Sequence, residues 1–388
     1  MKKEIRTSNL YIIIAGVFAI SSFFIFITVP NTIINFLGEG ELNRCFWDFI
    51  MHVNFSKDLS SVYDSSVHAC FPPLIYIFYN LISLMLPTQS VFNAYQDYRF
   101  FCIIFVIMEF VLFHFMCSKL LKKEKDYAVL TMTMLIILSA NFINGVIQSA
   151  NIAFFVMILL LIAVCLRESN SKFKQETALI LIAVAAAIKI YPAVFGLLYL
   201  IEKKPKQAIR LIVYGVVLFF APFALTGGIS GFYQFFDNIT TIQSTWGELS
   251  HNGIYNNLVF LGASSNIALV CDVIFGCLCF VMLLIVKDRW KKMFLLSAII
   301  VMLPLWSGPY TTCFFLIPFL TFVNDCPYVN SLPKVVYTVL FSLMFTSYCI
   351  SSKLFSLMCF AGCITILAFI IAEEACRYKV KTVNGSID

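Results

Sequence analysis

Apolar runs broken by short charged clusters set the rhythm of this 388-residue chain. Ten runs, at 10–29, 100–118, 127–141, 152–166, 177–201, 208–225, 257–286, 294–323, 335–350 and 354–371, are candidate membrane-spanning segments. A helix that crosses the hydrocarbon needs about 20 predominantly apolar residues. Two of the runs carry internal breaks, at Lys189-Ile190-Tyr191-Pro192 and at Ser307-Gly308-Pro309-Tyr310, and each reads as a hairpin of shorter, kinked helices. The stretch 71–86 is apolar but bounded by Pro72-Pro73 and Pro87. A helix of about fourteen residues reaches only about 21 Å against roughly 30 Å of hydrocarbon, so this segment is expected to be re-entrant or interfacial.

One long stretch departs from the pattern. Residues 31–98 hold a polar island, with five carboxylates between Asn31 and Cys70 accompanied by Arg44, Lys57, His52 and His68. A carboxylate in such a loop can take a proton from a hydroxyl group. The loop by itself does not choose among Asp48, Asp58 and Asp64.

Composition adds the class: 61% hydrophobic residues, 12% charged residues and a mean hydropathy of +0.90 describe a polytopic integral membrane protein. The run 10–29 follows a basic N-terminus but has no small-residue cleavage pattern, and reads as an uncleaved first span. With 71–86 not spanning and both broken runs counted as hairpins, the pattern predicts an all-α fold of about 12 helices (10 to 12) with both termini inside. That arrangement leaves only Arg44, Lys57, Arg99, Lys189 and Lys353 outside or within the membrane. The net charge of +6 is then the positive-inside distribution, and no nucleic-acid partner is expected. The outward polar groups fall in 31–98, at 141–151, at Lys189, in a loop 226–256, and at 307–310. The fourteen cysteines lack metal-ligand spacing and behave mostly as small buried hydrophobes. Cys45 and Cys70 share the polar loop and are a candidate disulfide.

Lys189 is the strongest single signal, since an unpaired ammonium within an apolar run costs at least about 2.5 kcal/mol. It is expected to face a cavity and an anion, with snorkelling to the interface as the alternative. Arg99 precedes another apolar run on the same side and invites the same reading. Gln148 and Asn151, with Gln243, Ser244, His251 and Asn252, supply hydrogen-bonding groups suited to sugar hydroxyls. Glu109 and Asp272 lie within spans and are expected to be structurally paired. Among cradles and nucleophiles there is no phosphate-binding Gly-rich loop, no His/Cys metal cluster and no G-x-S-x-G. The sequence therefore calls for neither a metal nor a cofactor, and argues against an ATP-driven pump or a serine hydrolase.

The order of these pieces resembles the GT-C class of membrane glycosyltransferases, and within it glycosyltransferase family 87, the polyprenyl-phosphate-mannose-dependent mannosyltransferases. Asp48-Phe49 with Val62-Tyr63-Asp64 is similar to the family's first-loop aspartate and tyrosine-aspartate pair. Phe71-Pro72-Pro73-Leu74 resembles its proline-proline segment. Val146-Ile147-Gln148-Ser149-Ala150-Asn151 is similar to a G-Q-x-N turn, and Lys189-Ile190-Tyr191-Pro192 to a K-x-Y-P signature. Gln243-Ser244 and Trp306 with Tyr310 resemble later motifs.

The resemblance implies a single transferase domain over 1–388, with 31–98 as its catalytic loop. It implies an inverting transfer of mannose or another hexose from a polyprenyl-phosphate donor to a glycolipid or glycan acceptor. Asp48 would be the general base. Lys189 and Arg99 would hold the donor phosphate, and Tyr63, Asp64, Gln148, Asn151, Tyr191, Gln243, His251 and Tyr310 would line the sugar and acceptor sites. The expected setting is a bacterial inner or cell membrane, with the site on the outer face. The competing readings are a lipid-linked sugar flippase or other transporter, and an O-antigen-type polymerase. A flippase would favour internal repeats and charges spread through its spans.

Overall fold

Helices follow the apolar runs closely in the computed structural model, which describes residues 5–28, 46–64, 69–85, 91–139, 142–143, 146, 149–246, 252–305, 307–345 and 352–384. Four helical stretches among these are long and apolar enough to cross a membrane: Tyr98–Leu120, Pro205–Leu225, Ser265–Ile285 and Leu354–Lys379. Shorter apolar helices occupy most of the other predicted runs. The chain divides into two compact units, Met1–Phe36 with Cys117–Phe142 and Ser250–Asp388, and Leu37–Met116 with Ile143–Leu249.

In the first unit the Thr7–Thr28 helix packs on Asp126–Ile137 and on Leu332–Phe345. A two-residue antiparallel ribbon pairs Ile5 with Val329 and Arg6 with Tyr328. The predicted break at 307–310 is present: the Arg289–Met302 helix stops, and a 3₁₀ turn over Pro309–Phe315 leads into Leu316–Asp325. Asn252 fastens this break, its N–H donating to Ser307 O at 2.7 Å and its Nδ2 to Gly308 O at 3.1 Å. Lys291 is buried, but Asp288, Glu373 and Glu374 lie within 2.6–3.1 Å of its ammonium.

In the second unit the Ala153–Leu166 helix is buried almost all round and packs along Lys172–Ile188. Its 14 residues are apolar on every face because no face meets solvent. Lys172–Ile188 ends at the predicted break: Lys189 is extended (φ −141°, ψ 128°), and a 3₁₀ turn Tyr191–Gly196 follows. The polar island contains the short helix expected after Pro72, Pro73–Met85, and a second one, Trp47–Phe55, with a 3₁₀ turn at Leu59–Ser61 between them. Asn80 Nδ2 donates to Ser56 O at 2.6 Å, and Phe49 meets Tyr79 edge-on at 5.3 Å, so the two short helices form one packed pair.

Two expectations change. The loop expected at 226–256 is largely a helix, Gly228–Trp246, whose buried face is Gly231, Phe235 and Asn238. That i, i+4, i+7 spacing is helical, but two of its three members are not apolar, so a hydrophobicity pattern passes over it. A Cβ at Gly231 would lie 1.9 Å from Thr226 O, so the close approach of helix and turn requires glycine there. Secondly, Glu109 is fully buried and Asp272 nearly so, and neither makes an ion pair among the described residues. Neither is the paired structural charge expected. In the Gly228–Trp246 helix, Asn238 is buried and bonded internally, donating from Nδ2 to Tyr63 O (3.0 Å) and Ala69 O (3.1 Å).

Those two bonds tie the Gly228–Trp246 helix to both ends of the segment 63–69. Asn238→Ala leaves two buried carbonyls without their donor and is expected to cost about 2 kcal/mol. A lowered thermal unfolding midpoint in detergent checks this; an unchanged midpoint would show that the segment is held by other means.

Candidate functional site

The site grows from two helix ends that present opposite charges. Asp48 occupies the first turn of Trp47–Phe55, where exposed N–H groups favour an anion. Lys189 caps the C-terminus of Lys172–Ile188, where exposed carbonyls favour a cation, and its own N–H closes that helix on Ala185 O at 3.0 Å. Asn151, at the start of Ala153–Leu166, joins the two. Its Nδ2 donates to Asp48 Oδ2 at 2.7 Å, and its Oδ1 accepts from Lys189 Nζ at 2.9 Å and from the Ala153 N–H at 2.9 Å. Two donors converging on Oδ1 fix the orientation of the amide, so the NH₂ must face the carboxylate.

The backbone is bent to make this meeting. Phe46, immediately before the Trp47–Phe55 helix, has φ 64°, and Ala150, immediately before Asn151, has φ 48°. Each left-handed non-glycine residue costs roughly 1–2 kcal/mol. The two segments are then pinned together by Ser149 O, which accepts from the Asp48 N–H at 3.1 Å.

Aromatic groups complete the surroundings of the ammonium. Lys189 Nζ lies 4.6 Å from the centre of the Phe71 ring and 5.8 Å from that of Tyr191, within the reach of cation–π attraction. Phe71 is itself anchored three ways. Its carbonyl accepts from Tyr63 Oη at 2.7 Å, its N–H donates to Tyr76 Oη at 3.3 Å, and His52 stacks on its ring at 4.0 Å. His52 Nδ1 shares a 3.0 Å hydrogen bond with Tyr76 Oη.

Burial pushes the His52 pKa down to about 3, helped by the nearby Lys189 charge, so the imidazole is neutral at physiological pH. Asp48 keeps part of its surface open, yet it is crowded enough that desolvation raises its pKa above the ordinary value. The Asn151 hydrogen bond and the Lys189 charge oppose that rise without cancelling it. The result is a carboxylate more basic than usual beside a fixed positive charge.

The three loop aspartates are now distinct. Asp58 caps the 3₁₀ turn, accepting from the Ser60 N–H, Ser60 Oγ and Ser61 Oγ at 2.7–3.0 Å, and those bonds lower its pKa. Asp64 is exposed. Only Asp48 of the three is bonded to Asn151.

Other expected site residues are distributed as follows. Tyr63 is buried, with its hydroxyl spent on Phe71. Tyr191 begins the 3₁₀ turn beside Lys189. Lys189 is only 4% exposed, which excludes snorkelling. Arg99 is exposed near the start of the Val91–Leu120 helix and makes no ion pair with this cluster among the described residues. Tyr310 belongs to the first unit. Gln148 and His251, with Trp306 and Cys45, lie outside the described residues; Gln243 lies in the Gly228–Trp246 helix, its side chain outside the described set. Cys70 is a free thiol. No group of three or more metal-ligating side chains occurs among the described residues. The sequence reading did not pick out His52, Tyr76 and the Phe71 ring. The signal available for His52 was its i+4 spacing from Asp48, which places both on one helix face.

A family model described as glycosyltransferase family 87 matches residues 72–308. That stretch contains Asn151 and Lys189 and begins after Asp48. No curated protein and no solved structure matches the chain.

Asn151→Ala would leave a carboxylate and a buried ammonium without their shared partner. The expected loss is about 2 kcal/mol of stability, read as a lower unfolding midpoint in detergent. An unchanged midpoint would mean that the amide bridge does not hold the two segments together.

Proposed function

This chain belongs to glycosyltransferase family 87, and from that premise we propose that it transfers a hexose from a polyprenyl-phosphate donor to a glycolipid or glycan acceptor, with Asp48 as general base. The observation that carries the reading is the Asp48–Asn151–Lys189 chain: a partly open, unusually basic carboxylate held by one amide beside a buried cation. Asp48 takes the proton of the acceptor hydroxyl as its oxygen attacks the anomeric carbon. The bond from that carbon to the phosphate oxygen breaks, its electron pair leaves with the polyprenyl phosphate, and the anomeric configuration inverts. One carboxylate suffices because the departing phosphate needs no proton.

Lys189 stabilises the phosphate charge that develops as this bond breaks. Its low-dielectric surroundings make the interaction stronger than it would be in water. Asn151 acts as a positioning residue, since both of its polar atoms are engaged within the protein. Neutral His52 and the Phe71 ring wall the cation without adding charge. The short Pro73–Met85 helix, about 20 Å long by its 13 residues, borders the groove through which the prenyl chain enters. We take the whole chain as one transferase of GT-C type with about twelve spans, both termini cytoplasmic and the site on the outer face.

The experiment is transfer of radiolabel from a panel of polyprenyl-phosphate hexoses to extracted glycolipid acceptors, using purified protein in detergent without a membrane gradient. A new glycosidic bond is expected. Asp48→Asn is expected to fold and insert yet transfer no sugar, and transfer by that variant would remove Asp48 from the mechanism.

A pH profile follows from the raised pKa of Asp48. The base must be ionised to act, so kcat/KM is expected to rise with pH through an acid limb above about 4, the ordinary carboxylate range. His52, neutral above about 3, contributes no limb between pH 5 and 8. An acid limb at or below the ordinary carboxylate value would contradict the assignment.

A further inference from the structure

A cavity of about 530 Å³ lies at the start of the Thr7–Thr28 helix in the first unit, lined by Arg6, Asn9, Ile13, Lys125, Tyr127 and Tyr328 among others. We infer that it binds the headgroup of an anionic glycerophospholipid, with the acyl chains running along the two helices that begin there.

The polar end of the cavity is built and held. Arg6 donates from Nη1 to Lys123 O at 2.6 Å, pairs with Glu124 at 3.2 Å and stacks over Tyr328 at 5.5 Å. Glu124 is buried and is also held by Ser8 Oγ at 2.6 Å, which fixes the guanidinium at one edge of the cavity. Glu124 balances Arg6, and exposed Asp126 offsets one of the three lysines Lys122, Lys123 and Lys125, so the excess positive charge that remains comes from Lys125 in the lining and its exposed neighbours Lys122 and Lys123. A phosphodiester complements that excess.

The apolar end supplies the second, independent observation. From the cavity outward, the exposed face of the first helix runs Asn9, Ile13, Val17, Ile20 and Phe24, and the aliphatic and aromatic members are each more than half exposed. The neighbouring Asp126–Ile137 helix starts at the same cavity and exposes Tyr127, Leu130 and Met134 at i, i+3 and i+7. Cations, then an amide and tyrosines, then aliphatic side chains follow the polarity profile of a phospholipid from phosphate through glycerol to chain. A soluble phosphate compound would match only the first part of that gradient.

The test uses native mass spectrometry of the full chain in mixed micelles of phosphatidylglycerol and phosphatidylcholine, with glycerol 3-phosphate as a soluble control. Phosphatidylglycerol is expected to be retained in preference to phosphatidylcholine, and glycerol 3-phosphate not to compete. Lys125→Ala is expected to weaken phosphatidylglycerol binding about fivefold, the equivalent of about 1 kcal/mol for one basic residue at a membrane surface, and Lys125→Glu to weaken it further. Lys125 is exposed, so both variants should keep the wild-type circular dichroism spectrum. Equal retention of the two lipids, displacement by glycerol 3-phosphate, or an unchanged Lys125→Ala variant would overturn the inference. So would phosphatidylglycerol binding seen only after deletion of residues 2–4, which would make the chain's own N-terminus the occupant.

Discussion

A buried ammonium needs a partner, and the second unit is arranged around meeting that need for Lys189. Water solvates a lysine well, and a site that is 4% exposed removes nearly all of that solvation. The replacement is assembled from separate pieces of chain: the Asn151 side-chain oxygen and the faces of Phe71 and Tyr191. Each piece imposes a further requirement. Asn151 can offer its oxygen only if its NH₂ has an acceptor, and Asp48 is that acceptor. Asp48 can reach it only if Phe46 and Ala150 accept left-handed backbone. The strain is spent where the polar groups converge, which is where functional strain is expected to collect.

The same arrangement explains why charge and basicity coexist. A carboxylate fully paired with an ammonium would be stabilised as an anion and would be a poor base. Interposing an amide keeps the lysine charge at one remove, so burial dominates and the Asp48 pKa goes up. Lys189 Nζ donates to a neutral amide oxygen, and in the proposed mechanism its charge serves the donor phosphate. His52, on the aromatic side, is neutral and adds no positive charge there. The proposed mechanism calls for a base and an anion-stabilising group close together without mutual neutralisation, and a single asparagine would provide that separation.

The first unit solves the buried-lysine problem differently. Lys291 sits among three carboxylates at 2.6–3.1 Å, a satisfied network that holds helix ends together and leaves no unbalanced charge to offer a ligand. The contrast is informative: burial alone does not distinguish the two lysines, whereas the bonded partners do, three carboxylates for Lys291 and an amide oxygen for Lys189.

Much was legible in the sequence because it depends on composition and local chemistry. A chain with this many apolar runs must put helices in lipid, Pro192 and Pro309 must interrupt their runs, and Lys189 within an apolar stretch must have a reason to be there. The order of short motifs carried the family. What the sequence could not decide involves residues far apart in the chain. As loop carboxylates Asp48, Asp58 and Asp64 are equivalent, and in the sequence only the motif order points to Asp48; that Asp48 alone of the three bonds Asn151, 103 positions away, appears only in the folded chain. Asn151 reads in the sequence as a sugar-binding amide; that its polar atoms also bond Asp48, Lys189 and Ala153 is visible only in the folded chain. The Gly228–Trp246 helix was hidden because its buried face uses a glycine and an asparagine, chosen for close approach and for two distant carbonyls rather than for hydrophobicity. Local pattern reports how each segment meets lipid or water, whereas partner choice among polar groups is a long-range property that exists only once the chain has closed on itself.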